Sequence, residues 1–176
     1  MTRIPLRPAT PADIPAITRI YAEAVRFGVA SFELEAPDEP EMAKRQRTLL
    51  DGGFPYIVAE LDGGLAGYAY AAPYRARPAY RFTVEDSIYV APEAQRRGVG
   101  RLLLERLIAD SETRGFRQMI AVIGDSANAA SIELHRALGF AMVGTFADVG
   151  FKFGRWLDSV LMQRALGPGS RALPND

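Results

Sequence analysis

The sequence predicts an α/β domain in which short strands alternate with amphipathic helices. Three observations lead there. A strand-like run, Glu85-Asp86-Ser87-Ile88-Tyr89-Val90, passes through the glycine loop Gln95-Arg96-Arg97-Gly98-Val99-Gly100 into a leucine-rich helical run, 101–108. Two apolar runs, 56–61 and 65–71, flank Asp62-Gly63-Gly64 as the arms of a β-hairpin. The fully apolar run 119–124 is short enough to be a buried strand.

In chain order, 4–7 alternates apolar and charged residues like a short strand. Thr10-Pro11-Ala12-Asp13 then supplies an N-cap, a proline at the first helical position and an acid in the first turn. Ile14, Ile17, Tyr21, Ala24 and Val25 recur at helical spacing, and Gly28 is the expected stop. A loop over 27–37 leads to a second helix, 40–51, and then to the hairpin. Prolines break the pattern over 73–78, so Tyr74 to Tyr80 is expected as a loop before a strand at 82–90.

The helix after the glycine loop should end at Gly115. Following strand 119–124, Asp125-Ser126-Ala127-Asn128 offers several N-caps for a helix that Gly139-Phe140 closes. Residues 141–144 and 158–163 read as closing strands, with a strand and turn between them at 149–156. A single domain, 1–166, and a flexible glycine- and proline-rich tail, 167–176, complete the expectation.

Composition narrows the chemistry. With no cysteine there is no disulfide, no thiolate metal site and no acyl-cysteine intermediate, and no metal is expected. Lysine plus arginine balance aspartate plus glutamate, 21 against 21, which argues against a nucleic-acid or membrane partner and for a small molecule. No apolar run is long enough for a signal peptide or a membrane span, so a cytoplasmic protein is expected.

The loop 95–100 has the makings of a diphosphate cradle. Gly98 and Gly100 leave backbone N–H groups uncovered, the helix that follows adds free N–H groups and a positive dipole end, and Arg96 and Arg97 add charge. Gly100 is followed by Arg101-Leu102 rather than the Lys-Ser/Thr of a Walker loop, and Leu103 stands where a dinucleotide fingerprint has its third glycine. A plain glycine turn is the alternative.

A QRRGVG loop between a strand and an amphipathic helix resembles the acetyl-CoA loop of the GNAT N-acetyltransferases, and the order of elements over about 2–166 is also that family's. Four further stretches are similar to its phosphinothricin / methionine sulfone branch: 76–85, Ala121-Val122-Ile123-Gly124, 134–140 and 150–158. The resemblance implies a mixed, mostly antiparallel twisted sheet of six or seven strands flanked by four helices. It also implies acetyl-CoA as cosubstrate, the α-amino group of a glutamate- or methionine-like amino acid as acceptor, and a homodimer. The loop 74–81 is where members differ.

On that reading, Gln95 to Arg101 hold the pyrophosphate, and the backbone of Ile88, Tyr89 and Val90 pairs with the pantetheine arm. Glu85, at the head of that strand, is the candidate base that takes a proton from the attacking amine, against the alternative of a solvated strand glutamate. Asn128 is either a pantetheine contact or only an N-cap. Arg75 and Arg77 can hold a carboxylate or phosphinate, with Tyr80 beside them and Phe32 as a pocket wall. His135, the one histidine, ranks behind Glu85 as an accessory group or a buried helical residue. Lys152, Phe153 and Arg155 reach either the site or a dimer partner. Two other functions stay open: a non-catalytic acyl-CoA sensor, which has no use for Glu85, and transfer to a peptide N-terminus, polyamine or aminoglycoside.

Overall fold

Strands β1 (Leu6–Pro8), β2 (Tyr56–Leu61), β3 (Gly64–Pro73), β4 (Thr83–Val90), β5 (Gln118–Gly124), β6 (Ala141–Lys152) and β7 (Arg155–Ala165) form one sheet in a computed structural model that describes residues 4–174. Helices α1 (Ile14–Phe27) and α2 (Glu39–Asp51) fall between β1 and β2, α3 (Val99–Thr113) between β4 and β5, and α4 (Ala129–Ala137) between β5 and β6. The strand order is β1-β2-β3-β4-β5-β7-β6, and the β4–β5 pair is parallel while every other pair is antiparallel. The expected mixed sheet and four helices are the fold found.

Local chemistry sets the boundaries. The Thr10 N–H donates to Asp13 Oδ2 at 2.7 Å ahead of α1, whose Ile14, Ile17, Ile20, Tyr21 and Val25 are buried. Asp38 caps α2 by accepting from the Glu41 N–H at 3.0 Å. The hairpin β2–β3 turns on Asp62 and Gly63, both at positive φ, which suits the right-handed twist of its arms.

Alternation along the strands divides the helices between the two faces. Tyr68 and Tyr89 stack on one face, where the Tyr21 ring of α1 meets Tyr89 edge-on at 5.0 Å. Gly67, the next residue along β3, points the other way and lies under Leu103 of α3.

The closing strands are longer than the sequence pattern indicates. Strands β6 and β7 form one long hairpin with a two-residue turn, Phe153-Gly154, rather than two short strands with a separate element between them. Register shifts at Met142/Gly144 and Phe146/Gly150 break the alternation of β6, which hides its continuity. Beyond buried Leu166, the chain makes a 3-10 turn, Gly169–Arg171, and Arg117 Nη2 donates to the Leu173 carbonyl at 3.1 Å.

Candidate active site

The site is a gap in the sheet. Strands β4 and β5 pair from Thr83/Gln118 to Asp86/Ala121 and then part, although β4 stays paired to β3 as far as Val90 and β5 to β7 as far as Gly124. A cleft of about 780 Å³ fills the gap, within the usual range for a small-molecule site. Because it passes between strands, both helical layers line it: Ile20, Glu23 and Ala24 from α1, and Val99, Gly100 and Leu134 from α3 and α4.

Its walls carry unused hydrogen-bonding edges. Past Asp86, the side of β4 that faces β5 has no ladder partner, so Ser87 to Val90 present free backbone groups to the cleft. At the cleft's end, the loop reaches α3 through Gly98 at φ 84°, a left-handed geometry that glycine adopts without strain. The Leu102 N–H bonds back to the Gly98 carbonyl at 3.2 Å, so the amides of Val99, Gly100 and Arg101 have no intrahelical partner. Free amides at a helix start next to an exposed Arg96 fit an anionic diphosphate.

Most of the residues expected from sequence converge here: Glu85, Ile88, Tyr89, Val90, Gln95, Arg96, Gly98, Val99, Gly100, Asn128 and His135 all line the cleft. Arg97 and Arg101 are not among its lining. Arg97 pairs with Asp62 in the β2–β3 turn at 2.7 Å, and Arg101 with Glu105 one helical turn on at 2.8 Å. Asn128 does cap α4, accepting from the Ser131 N–H at 3.3 Å.

Arg75, Arg77, Tyr80 and Phe32 also lie outside the lining. Arg75 stands over the Tyr74 ring, 5.1 Å from its centre, and Tyr74 meets Tyr80 edge-on at 5.7 Å, while Arg77 precedes the 3-10 turn Pro78–Tyr80. The Phe32 ring rests on the backbone of Gly124 and Gly150, where an added Cβ would come within 2.9 and 2.5 Å of it.

Glu85 is half-buried on β4, facing the α1 layer with Ser87 and Tyr89. Burial holds its carboxyl above the ordinary value, Asp86 pushes it further up, and the charge of Arg75 partly opposes both. A raised carboxyl suits a base working near neutral pH.

The neighbouring residue points to the other face, where it meets a partner that no local pattern marks. Asp86 Oδ2 lies 3.0 Å from His135 Nε2, and both side chains are buried. His135 Nδ1 lies 2.7 Å from the Ser131 carbonyl, which can only accept, so Nδ1 carries a proton and a second proton lies between Nε2 and Asp86. Burial pushes the His135 imidazole down, but Asp86 and the Ser131 carbonyl outweigh it and leave it raised. Asp86 Oδ1 is buried with no partner. Period-two alternation puts Asp86 opposite Glu85 in direction, but only the tertiary fold brings His135 to it.

Asp125 and Arg155 also line the cleft: Asp125 takes a positive φ and accepts from the Ala127 N–H at 3.1 Å and from Arg155 at 2.6 Å, two contacts that hold its carboxyl below the ordinary value. Among the described residues no group of histidines and carboxylates stands together to hold a metal ion.

Comparison with known proteins agrees with this geometry. Residues 17–140 match the Acetyltransferase (GNAT) family. The chain belongs to that family. It is 59% identical over 162 residues to a phosphinothricin N-acetyltransferase of Alcaligenes faecalis, covering 92% of this chain and 82% of that one. It is 42% identical to an L-methionine sulfoximine/L-methionine sulfone acetyltransferase of Salmonella typhimurium, over 92% of this chain and 94% of the relative. Among solved structures, a phosphinothricin acetyltransferase from Sinorhizobium meliloti in complex with AcCoA superposes with a TM-score of 0.97 at 50% identity, covering 99% of this chain and 95% of that one. This GNAT chain is an acetyltransferase by family.

Proposed function

We propose that this acetyltransferase moves the acetyl group of acetyl-CoA directly to the α-amino group of a small amino-acid-like acceptor of the phosphinothricin, methionine sulfone or methionine sulfoximine type. The observation that carries the reading is the cleft through the sheet, which is open to both helical layers, with a diphosphate cradle at the start of α3 and a raised carboxyl turned toward α1. Two substrates can enter from opposite faces and meet without a covalent enzyme intermediate. The two relatives' names supply the acceptor class.

The chemistry then follows from the groups present. The acceptor ammonium gives a proton to Glu85, directly or through water, and the free amine attacks the thioester carbon. A free N–H of the β4 edge, among Ile88, Tyr89 and Val90, stabilises the oxyanion while the pantetheine pairs along the same edge. As the adduct collapses, its nitrogen sheds its remaining extra proton to water, the amide forms and the C–S bond breaks, releasing a thiolate for which the Asp86–His135 pair is a proton source in the cleft wall. Arg75 and Arg77, with Tyr80, are suited to hold the acceptor's anionic groups on the α1 side, and their loop must close over the acceptor to do so. Phe32 would contribute from beneath the 28–32 wall.

Edge strand β6 leaves Val143, Phe146, Val149 and Phe151 exposed, with Trp156 beside them on β7, which favours a second copy of the chain as partner. A cytoplasmic site of action fits an acetyl-CoA-dependent reaction.

The test is release of free CoA from acetyl-CoA with methionine sulfone, methionine sulfoximine, phosphinothricin, the common amino acids, a polyamine and a peptide, on a sample whose mass is read by light scattering. Turnover confined to the first three supports the acceptor class. Turnover only with the polyamine or peptide overturns it, and a monomeric mass at assay concentration overturns the dimer.

A further inference from the structure

Lys152 is a buried lysine that the reaction above does not use. It sits at the end of β6 with 4% of its surface exposed, and its Nζ donates to the carbonyls of Gly28 at 3.0 Å and Ser31 at 2.7 Å. No carboxylate forms a salt bridge with it among the described residues, and the Phe153 ring lies 5.0 Å from its Nζ. Burial lowers its ammonium below the ordinary lysine value, with the charge of Glu33 acting the other way.

The carbonyls it holds belong to the segment that follows α1. Gly28, Val29 and Ala30 line the cleft, facing it from the α1 side. A helix end leaves carbonyls without intrahelical partners and carries partial negative charge, which an ammonium neutralises while satisfying the acceptors. Two further fastenings act on the same segment. Phe32 rests on Gly124 and Gly150, and a Cβ on Gly124 would stand 1.9 Å from the Val29 carbonyl oxygen. Ser31 Oγ lies 2.9 Å from the Tyr21 hydroxyl, which also donates to Glu33 Oε1 at 2.9 Å, and Arg45 reaches the same oxygen at 2.6 Å. The segment is thus bolted from β6, seated on two glycines and tied to α1 and α2.

We infer that Lys152 is a positioning residue for the acceptor: from 124 residues away in sequence it fixes the 28–33 segment, whose 28–30 stretch walls the cleft, and so sets the fit of the amine without touching the acetyl-CoA edge. The inference rests on the proposed direct transfer to a small amine. A methionine in its place fills a similar volume but leaves the Gly28 and Ser31 carbonyls buried without donors, so the segment should leave that seat.

Three measurements on the full-length protein test this. In Lys152→Met, the acceptor KM should rise about tenfold or more while the acetyl-CoA Kd stays within about twofold, because only one substrate meets the displaced wall. Backbone hydrogen exchange without substrates should speed up over 28–33 and not in β4 or α3. Since the chain has no cysteine, Lys152→Cys can be alkylated in denaturant with bromoethylamine and refolded. The restored ammonium should recover the KM, and propylation should not. Should Lys152→Met fail to fold, Gly150→Ala, which unseats Phe32 without lining the cleft, must raise the acceptor KM in the same direction. Unchanged exchange over 28–33, or equal losses for both substrates, overturns the role of Lys152. If the wild type turns over no acceptor, the functional reading fails, and exchange still decides whether Lys152 holds the wall.

Discussion

Asp13 and Asp86 are equally buried, each 7% exposed, and the fold treats them in opposite ways. Asp13 lies at the entry to α1, where Arg7 forks onto both of its oxygens at 2.7 and 2.8 Å and the Thr10 N–H and hydroxyl add donors at 2.7 and 3.0 Å. Asp86 lies where β4 and β5 part, with one histidine contact and one bare oxygen, next to a Glu85 whose carboxyl is raised. Where a buried charge only holds elements together, both of its oxygens find donors. In the cleft the charges stay half-satisfied, and such groups can exchange protons with a substrate.

Breaking the reactive side should give the largest effect. Glu85→Gln keeps the shape and removes the base, so kcat should fall by about 10²- to 10⁴-fold while the acetyl-CoA Kd changes little. Because the Glu85 carboxyl is raised, the wild-type rate should climb with pH as that carboxyl ionises, and the variant should lose this limb of the pH–rate profile. A sensor would keep its CoA response in the variant, and a full pH limb in Glu85→Gln would assign the base elsewhere.

The structural side should fail in stability instead. Replacing Asp13 with alanine leaves Arg7 with Glu60 as its remaining carboxylate and takes the acceptor from the Thr10 N–H and hydroxyl, at a cost of about 2 kcal/mol. The contacts also hold the Asp13 carboxyl at about 2, below its ordinary 3.8. A depressed carboxyl gives stability that is complete above the ordinary value and lost as pH falls through the folded one. The wild type should therefore lose about 2 kcal/mol between about pH 4 and about pH 2 that Asp13→Asn does not lose, read from denaturant midpoints. Parallel acid curves for the two proteins would remove Asp13 as the acid-sensitive lock.

The same contrast explains how much could be read from the sequence. The α1 entry, the β2–β3 turn and the loop 95–100 are local: Thr10, Asp13, Gly63 and Gly98 act on residues within a few positions, so composition and spacing reveal them. The cleft is built from distant pairs. Asp86 meets His135 across 49 positions and Asp125 meets Arg155 across 30, and no periodicity encodes either meeting. The parting of β4 and β5 is a property of the sheet, and the register shifts of β6 erase the alternation that would have marked its length. Glu85 was legible because it leads a strand into a glycine loop; its bonded neighbour Asp86 was not, because its partner comes from another helix.

The smallest expected effect sharpens the comparison at Asp86 itself. His135 is raised above its ordinary 6.5 because Asp86 favours the charged imidazole more than burial disfavours it. A raised histidine contributes stability that is fully present below the ordinary value and is lost as pH rises through the folded one, opposite in direction to Asp13. Asp86→Asn keeps one possible hydrogen bond and removes the charge, so it should lower stability at about pH 6 by about 1 kcal/mol. It should also flatten the decline that the wild type shows as pH rises above the ordinary imidazole value. Denaturant midpoints measured across that range decide it. If the wild-type and Asp86→Asn curves decline in parallel, the proton between Nε2 and Oδ2 is not held as an ion pair, and the cleft wall loses its candidate donor to the departing thiolate.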